Sequence, residues 1–229
     1  MKNYHYLLFD LDGTLIDSFE GITRSVAYAL SFFDIHIEDT NILKPFIGPP
    51  LTHSFKEFYH FNDEEIKKAV FKYRERYNTT GVYENTLYTG IRELLEEASS
   101  KGYQVMLATS KPVVFAERIL QYFNLDGYFS FIGGSLMDGS RDAKEEVIRH
   151  VLTENDIRDN SRVLMIGDRK YDIIGAKSNG IDSLGVLYGY GQYEELHDAG
   201  AGFIVKDVPE LASLLRLGCT TGPLSIKES

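Results

Sequence analysis

Tyr4-His5-Tyr6-Leu7-Leu8-Phe9-Asp10-Leu11-Asp12-Gly13-Thr14 decides how the rest of the chain is read. Its first six residues form a short, aromatic-rich apolar run that stops at Asp10. That pattern predicts a buried strand ending in an acid. A carboxylate at the carboxyl end of a strand is held by the sheet and open to ligand, and it can attack phosphorus to form an acyl phosphate. Asp12 leaves the strand on the same side two residues later. A second carboxyl there can protonate a leaving alkoxide and then deprotonate water. Gly13 lets the backbone turn close to a ligand. A plain strand-to-turn junction also favours Asp and Gly, but the full D-x-D-G-T match directly after a strand is a rare coincidence at this length.

Similar apolar runs recur at residues 104–108, 128–132, 162–166, 182–186 and 202–205. Amphipathic helical patterns lie between them, at 91–100, 113–123, 144–154, 173–179 and 208–217. Strands alternating with helices predict βαβ units and a mostly parallel sheet. The stretch between the first and second strands carries no strand signal and reads as helices at 19–33, 51–59 and 63–77, with a Pro- and Gly-containing loop at 44–50. The predicted fold is therefore α/β: a Rossmann-like parallel sheet core with helices on both faces, plus an inserted α-helical bundle. Residues 1–15 and 88–217 would form the core, 16–87 a cap over the carboxyl ends of the strands, and 218–229 a flexible polar tail.

Three further clusters follow predicted strands. Gly167-Asp168-Arg169-Lys170-Tyr171-Asp172 places two carboxylates four residues apart at a strand-to-helix junction, which suits a hard divalent cation such as Mg²⁺. The competing reading is a strand-end turn with Asp172 as helix N-cap. Thr109-Ser110-Lys111-Pro112 follows the run at 104–108, and hydroxyls with free backbone N–H groups at a helix N-terminus make an anion site. A simple helix cap reads equally well there. Lys144 opens a predicted helix, where it opposes the macrodipole. That misfit points to a phosphate or Asp10 as partner, against a solvated surface Lys as the plain alternative.

Composition sets limits on function. The chain has 229 residues, 24 basic and 34 acidic, for a formal net charge of −10, with one Cys and no Trp. A single Cys excludes an intramolecular disulfide framework and thiolate metal clusters. The acidic balance argues against non-specific nucleic-acid binding. No apolar run approaches the ~18 residues of a membrane span, and the N-terminus lacks a signal-peptide core. The expected location is cytoplasmic, with no membrane partner and no nucleic-acid partner. An acidic protein acting on an anion must supply local positive charge, and three or four acids at one sheet edge repel one another without a cation.

Taken in order, Asp10-Leu11-Asp12-Gly13-Thr14, Thr109, Lys144, and Gly167-Asp168 with Asp172 resemble the four motifs of the haloacid dehalogenase-like hydrolase superfamily. The resemblance spans residues 4 to 217. The helical insertion, the loop Phe46-Ile47-Gly48-Pro49-Pro50-Leu51 and the segment Ala108-Thr109-Ser110-Lys111-Pro112 resemble the phosphoglycolate phosphatase-like branch, close to bacterial phosphoglycolate phosphatases and 5′-nucleotidases. The resemblance implies Asp10 as nucleophile and Mg²⁺ ligand, and Asp12 as general acid/base with its main-chain carbonyl on the metal. It implies Thr109, Ser110 and Lys144 on the phosphate, Asp168 directly on Mg²⁺, and Asp172 on it directly or through water. Arg141 is an alternative to Lys144, because no Pro follows Lys144 as in many relatives. An Asp at position 12 resembles the phosphatase and phosphomutase branches, in which a leaving oxygen needs a proton.

The expected activity is Mg²⁺-dependent hydrolysis of a small phosphomonoester, phosphoglycolate or a nucleoside 5′-monophosphate, through an aspartyl-phosphate. A β-phosphoglucomutase-like mutase and a non-catalytic binding protein are the alternatives. Specificity is expected in the cap loop, at Gly48, Pro49 and His53. None of the six His residues shows metal-ligand spacing. Cap aromatics such as Phe46, Phe55 and Phe61 either line a pocket or pack the bundle. The basic run on 63–77 reads as a solvated helix face. Partners are expected to be limited to the substrate, in a monomer or homodimer.

Overall fold

A computed structural model of the chain describes residues 3–217. The predicted tail and Cys219 lie outside the described residues. The chain opens with β1 (Tyr6–Phe9) and β2 (Ile16–Asp17), followed by α1 (Phe19–Ser31), α2 (Leu51–Tyr59) and α3 (Asp63–Tyr77). Strand β3 (Thr86–Leu87) then pairs antiparallel with β2. The remainder alternates: α4 (Ile91–Ser100), β4 (Gln104–Pro112), α5 (Val113–Tyr122), β5 (Phe131–Ser135), α6 (Lys144–Glu154), β6 (Val163–Gly167), α7 (Lys170–Ser178), β7 (Asp182–Val186), α8 (Tyr193–Ala199), β8 (Phe203–Val205) and α9 (Val208–Leu214).

The main sheet is six-stranded and parallel, in the order β5-β4-β1-β6-β7-β8. The chain moves outward from β1 in one direction, then returns to the other side of β1 with β6. The crevice between β1 and β6 is thus the switch point at which open α/β sheets bind ligands. Alternation along β1 sends Leu7 and Phe9 to one face and Leu8 to the other. Leu8 joins Val147, Ile148 and Val151 of α6, while Leu7 and Phe9 join an apolar cluster that continues into Val26, Phe55 and Tyr77 of the inserted helices. No helix among the described residues is long and apolar enough to cross a membrane.

The inserted segment folds largely as its periodicity predicts. Helix α3 starts where Asn62 caps it: the Asn62 side chain accepts from the Glu64 and Glu65 N–H groups, and Glu65 accepts from the Asn62 N–H. The stretch predicted to lack strands nonetheless contains β2 and ends at β3, two residues each. A two-residue strand is too short to show a period, and only its partner defines it. The expected loop at 44–50 begins inside a 3-10 turn, Thr40–Phe46. Helix α7 starts three residues before the predicted 173, so Asp172 sits in its first turn and is not the N-cap. Helix α8 was not anticipated; only Leu196 of its seven residues is buried, which leaves almost no amphipathic signal.

The largest difference falls on Thr109-Ser110-Lys111-Pro112. These residues are not the first turn of a helix but an irregular continuation of β4. Ala108 pairs with Gly133 and Pro112 with Ser135, so four steps along β4 match two along β5. The surplus residues bulge at the carboxyl end of the sheet, a distortion that redirects side chains. Helix α5 begins only at Val113.

Candidate active site

Asp10 follows β1 directly, and its N–H donates to the Ile166 carbonyl of β6 at 2.9 Å, which seats it at the switch point. Its Oδ1 accepts the Leu11 N–H at 2.8 Å and meets Lys144 Nζ at 2.7 Å. Lys144, the first residue of α6, also meets Asp172 Oδ1 at 2.9 Å and donates to the Ala108 carbonyl at 2.9 Å. These contacts account for a Lys at a helix N-terminus. Burial works against the ammonium, but the charges of Asp10 and Asp172 outweigh it and raise the pKa above the ordinary lysine value. Arg141, the alternative, is instead tied to β5 by its Nε, which donates to the Gly134 carbonyl at 3.0 Å.

Asp168 follows β6, and Asp172 lies in the first turn of α7; both are fully buried. One carboxylate oxygen from each of Asp10, Asp168 and Asp172 falls within 4.8 Å of the others. Burial, then the charges of Asp172 and Asp10, push Asp168 well above the usual carboxylate range. Burial likewise pushes Asp172 up to about 6, with Lys144 pulling it down and Asp10 pushing it up. Three buried hard oxygen donors against one shared ammonium form a set that suits a divalent cation with oxygen preference.

Asp12 is separate from that cluster. Both its carboxylate oxygens accept from Lys111 Nζ, at 2.9 and 2.6 Å, in a pair that is almost entirely buried. Three of the four acids expected at this sheet edge bring carboxylate oxygens together, and the carboxylate of the fourth faces a lysine that sequence reasoning left without a role. Alternation in the extended segment was the available signal: Thr109 and Lys111 are two residues apart and share a side. Thr109 is buried and its Oγ1 accepts the Lys111 N–H at 3.3 Å, while the Ser110 carbonyl accepts from Ser135 Oγ at 2.8 Å.

The turn after Asp12 is as close as its Gly implies. Gly13 has φ +81°, and a Cβ there would lie 2.2 Å from Asp168 Oδ2. A second glycine backs the same carboxylate: a Cβ on Gly189 would lie 2.2 Å from the Gly13 carbonyl oxygen and 2.5 Å from Asp168 Cβ. The loop carrying it donates the Tyr190 N–H to Asp168 Oδ2 at 2.8 Å. The same Tyr190 hydroxyl donates to Asp17 Oδ1 at 2.6 Å and accepts the Ser18 N–H at 2.9 Å, while Tyr188 donates to the Thr14 carbonyl at 3.0 Å. Asp168 is thereby linked to β2, where the chain leaves for the inserted helices. From sequence, Gly189-Tyr190-Gly191 reads as a loop near the site.

Gly48 and Pro49 line a cavity between the inserted helices and the sheet, together with Asp12. His53 does not; it borders a neighbouring cavity beside Lys144, is mostly exposed, and lies 2.7 Å from Glu57. Of the cap aromatics named above, Phe46 reaches the first cavity, while Phe55 and Phe61 stack on each other inside the bundle. Arg169 Nη1 donates to the Ile47 carbonyl at 2.6 Å and joins the cap loop to the core.

Residues 7–186 match the haloacid dehalogenase-like hydrolase family. The chain is 48% identical to a 5′-nucleotidase from Pseudomonas aeruginosa over 212 residues, which cover 93% of this chain and 96% of that protein. It is 29% identical to a phosphoglycolate phosphatase from Vibrio cholerae, over 94% of this chain and 98% of that one. The crystal structure of a predicted phosphatase from Clostridium acetobutylicum superposes with a TM-score of 0.90 at 48% identity, covering 93% of this chain and 99% of that one.

Proposed function

The chain belongs to the haloacid dehalogenase-like hydrolases and is a phosphatase of that family, and we propose that it hydrolyses a small phosphomonoester in two steps, with Asp10 as nucleophile. The observation that carries this reading is the Asp10 carboxylate at the switch point, held by Lys144 beside two further carboxylates that need a cation. Asp10 would attack phosphorus, and the bond from phosphorus to the leaving oxygen would break. Asp12 would give its proton to that oxygen, releasing the alcohol and leaving an acyl phosphate on Asp10. The Asp12 carboxylate would then take a proton from water as the water attacks the same phosphorus, which returns Asp10 and releases inorganic phosphate. Lys144 would offset the charge gathering around Asp10, and Thr109 and Ser110 would hydrogen-bond phosphoryl oxygens at the bulge of β4.

Asp10, Asp168 and Asp172, with the main-chain carbonyl of Asp12, would hold Mg²⁺. When bound there, the ion would neutralise the carboxylates and phosphoryl oxygens. Phosphoglycolate and nucleoside 5′-monophosphates are the substrates to assay first, since the curated relatives carry those activities in their names.

The test is phosphate release with Mg²⁺ or EDTA, for wild type and Asp10→Asn, on a panel that includes both substrate types and β-glucose 1-phosphate. Wild type should release phosphate only with the metal, and Asp10→Asn should fall by at least about a thousandfold. Equal, negligible release by both proteins on every ester would refute the reading. Isomerisation of the sugar phosphate without net release would favour a mutase.

A further inference from the structure

We propose that Arg74 recognises an anionic group on the leaving-group side of the substrate, so that the preferred phosphomonoester is one whose alcohol carries a second negative charge, such as a carboxylate. This rests on the phosphatase reading and extends it to substrate class.

The argument begins with a helical stripe. Val70, Tyr73, Arg74 and Tyr77 follow i, i+3, i+4, i+7 spacing on α3, and all four line a cavity of about 120 Å³ between the inserted helices and the sheet. Three of the four are apolar or aromatic. A guanidinium in that stripe is out of place for packing alone. The remaining basic residues of α3 are accounted for otherwise. Lys67 pairs with Glu64 at 2.9 Å, Lys72 with Glu75 at 3.0 Å and Arg76 with Glu84 at 2.8 Å, and Lys68 is exposed. Arg74 is half-buried, and among the described residues its side chain makes no hydrogen bond or ion pair. Burial also pulls its pKa below the ordinary guanidinium value. A partly desolvated cation without a partner costs stability, which an incoming anion would offset.

Its position fixes which part of the substrate it would meet. The wall opposite α3 carries Ser110 and the Asp12–Lys111 pair, whereas Asp10, Asp168 and Lys144 do not line this cavity. Since Asp12 would deliver the proton to the leaving oxygen, the space between Asp12 and Arg74 belongs to the leaving group and not to the phosphoryl group. A second unsatisfied polar atom lies on α3 itself: the Tyr77 hydroxyl is buried with no hydrogen-bond partner among the described residues. Such an atom calls for a ligand oxygen. Asp142, on the loop before α6, also lines this cavity, and among the described residues it forms no ion pair, with Arg74 or any other base. A cap-to-core attraction between those two is therefore the rival role for Arg74.

The experiment compares kcat/KM, with Mg²⁺, for 2-phosphoglycolate and its neutral carboxamide, 2-phosphoglycolamide, which match in shape and differ in charge. p-Nitrophenyl phosphate serves as a general phosphatase substrate. Wild type should favour the anion, and Arg74→Met should lower the anion-to-amide ratio about 10- to 100-fold, the worth of a charge-assisted hydrogen bond. Arg74→Lys should keep part of the preference. Asp142→Asn should not reproduce the loss; if it does, Arg74 acts as a latch and the proposal is overturned. It is also overturned if wild type shows no preference for the anion, or if the ratio is unchanged in Arg74→Met, while p-nitrophenyl phosphate is still hydrolysed. Failure to hydrolyse any of the three esters would overturn the phosphatase reading along with it.

Discussion

Replacing Asp168 with Asn should make the metal-free protein more stable while abolishing its stabilisation by Mg²⁺. Asp168 is fully buried, and its carboxylate lies within 4.8 Å of one oxygen each from Asp10 and Asp172. At that separation and an effective dielectric near 20, each ionised pair repels by about 3.5 kcal/mol. Burial and the charges of Asp172 and Asp10 raise the pKa of Asp168, so proton uptake can relieve part of this repulsion in the wild-type protein. The relief on removing the charge is therefore smaller, about 1–3 kcal/mol. Asn keeps the shape, and its oxygen can still accept the Tyr190 N–H that now reaches Asp168 Oδ2 at 2.8 Å. For a chain of this size 1 kcal/mol shifts Tm by about 2–4 °C. In EDTA at neutral pH, Asp168→Asn should melt several degrees above wild type. In wild type, Mg²⁺ at 100 times its Kd should add about 2.7 kcal/mol, or about 5–10 °C; in the variant it should add less than about 1 °C. The chain has no Trp, so melting is followed by calorimetry or circular dichroism. A variant that melts well below wild type in EDTA would show that Asp168 is chiefly a structural acceptor. A full Mg²⁺ shift in the variant would remove Asp168 from the proposed ligand set.

Two further outcomes follow from the same geometry. Gly13→Ala combines a left-handed backbone with a Cβ 2.2 Å from Asp168 Oδ2, so it should lower Tm in EDTA and reduce the Mg²⁺ shift together; a wild-type Mg²⁺ shift would mean that the turn yields without moving Asp168. The pH dependence has a definite sign. Asp172 is raised from the usual carboxylate value to about 6 and Asp168 is raised as well, so the metal-free native state binds protons that the unfolded chain releases. The Asp172 part of that contribution is fully present below about pH 4 and is lost as pH rises through about 6. Because Mg²⁺ needs the ionised carboxylates, its Tm shift should be smaller at pH 5 than at pH 7, whereas a shift independent of pH would contradict the raised pKa values.

Much of the site could be read without the fold. Asp10 and Asp168 each lie just after a strand whose apolar run is visible in the sequence, Asp172 lies in the first turn of the helix that follows, and sheet topology carries strand ends to one edge. Lys144 was marked by its misfit with the helix dipole. Other features left little local trace. The two-residue strands at the start and end of the insertion have no measurable period, and α8 buries one side chain. Thr109–Pro112 read as a helix start because Ser, Thr and Pro favour both that position and the bulge that β4 forms there.

The alternation of the longer strands and helices, the insertion after the first strand and the acids at the strand ends were legible in the sequence, because each is set by neighbours within a few residues. Only the tertiary structure decided that Asp12 parts from the other acids to meet Lys111, which is 99 residues away in sequence. The fold also turns Arg74, indistinguishable in sequence from the paired bases around it, to the cavity without a partner among the described residues. It also decided that Gly189 and Tyr190 back Asp168 and tie it to Asp17. The reason is physical: a side chain's charge partner and its exposure depend on what the fold brings opposite it, and local spacing carries no record of that.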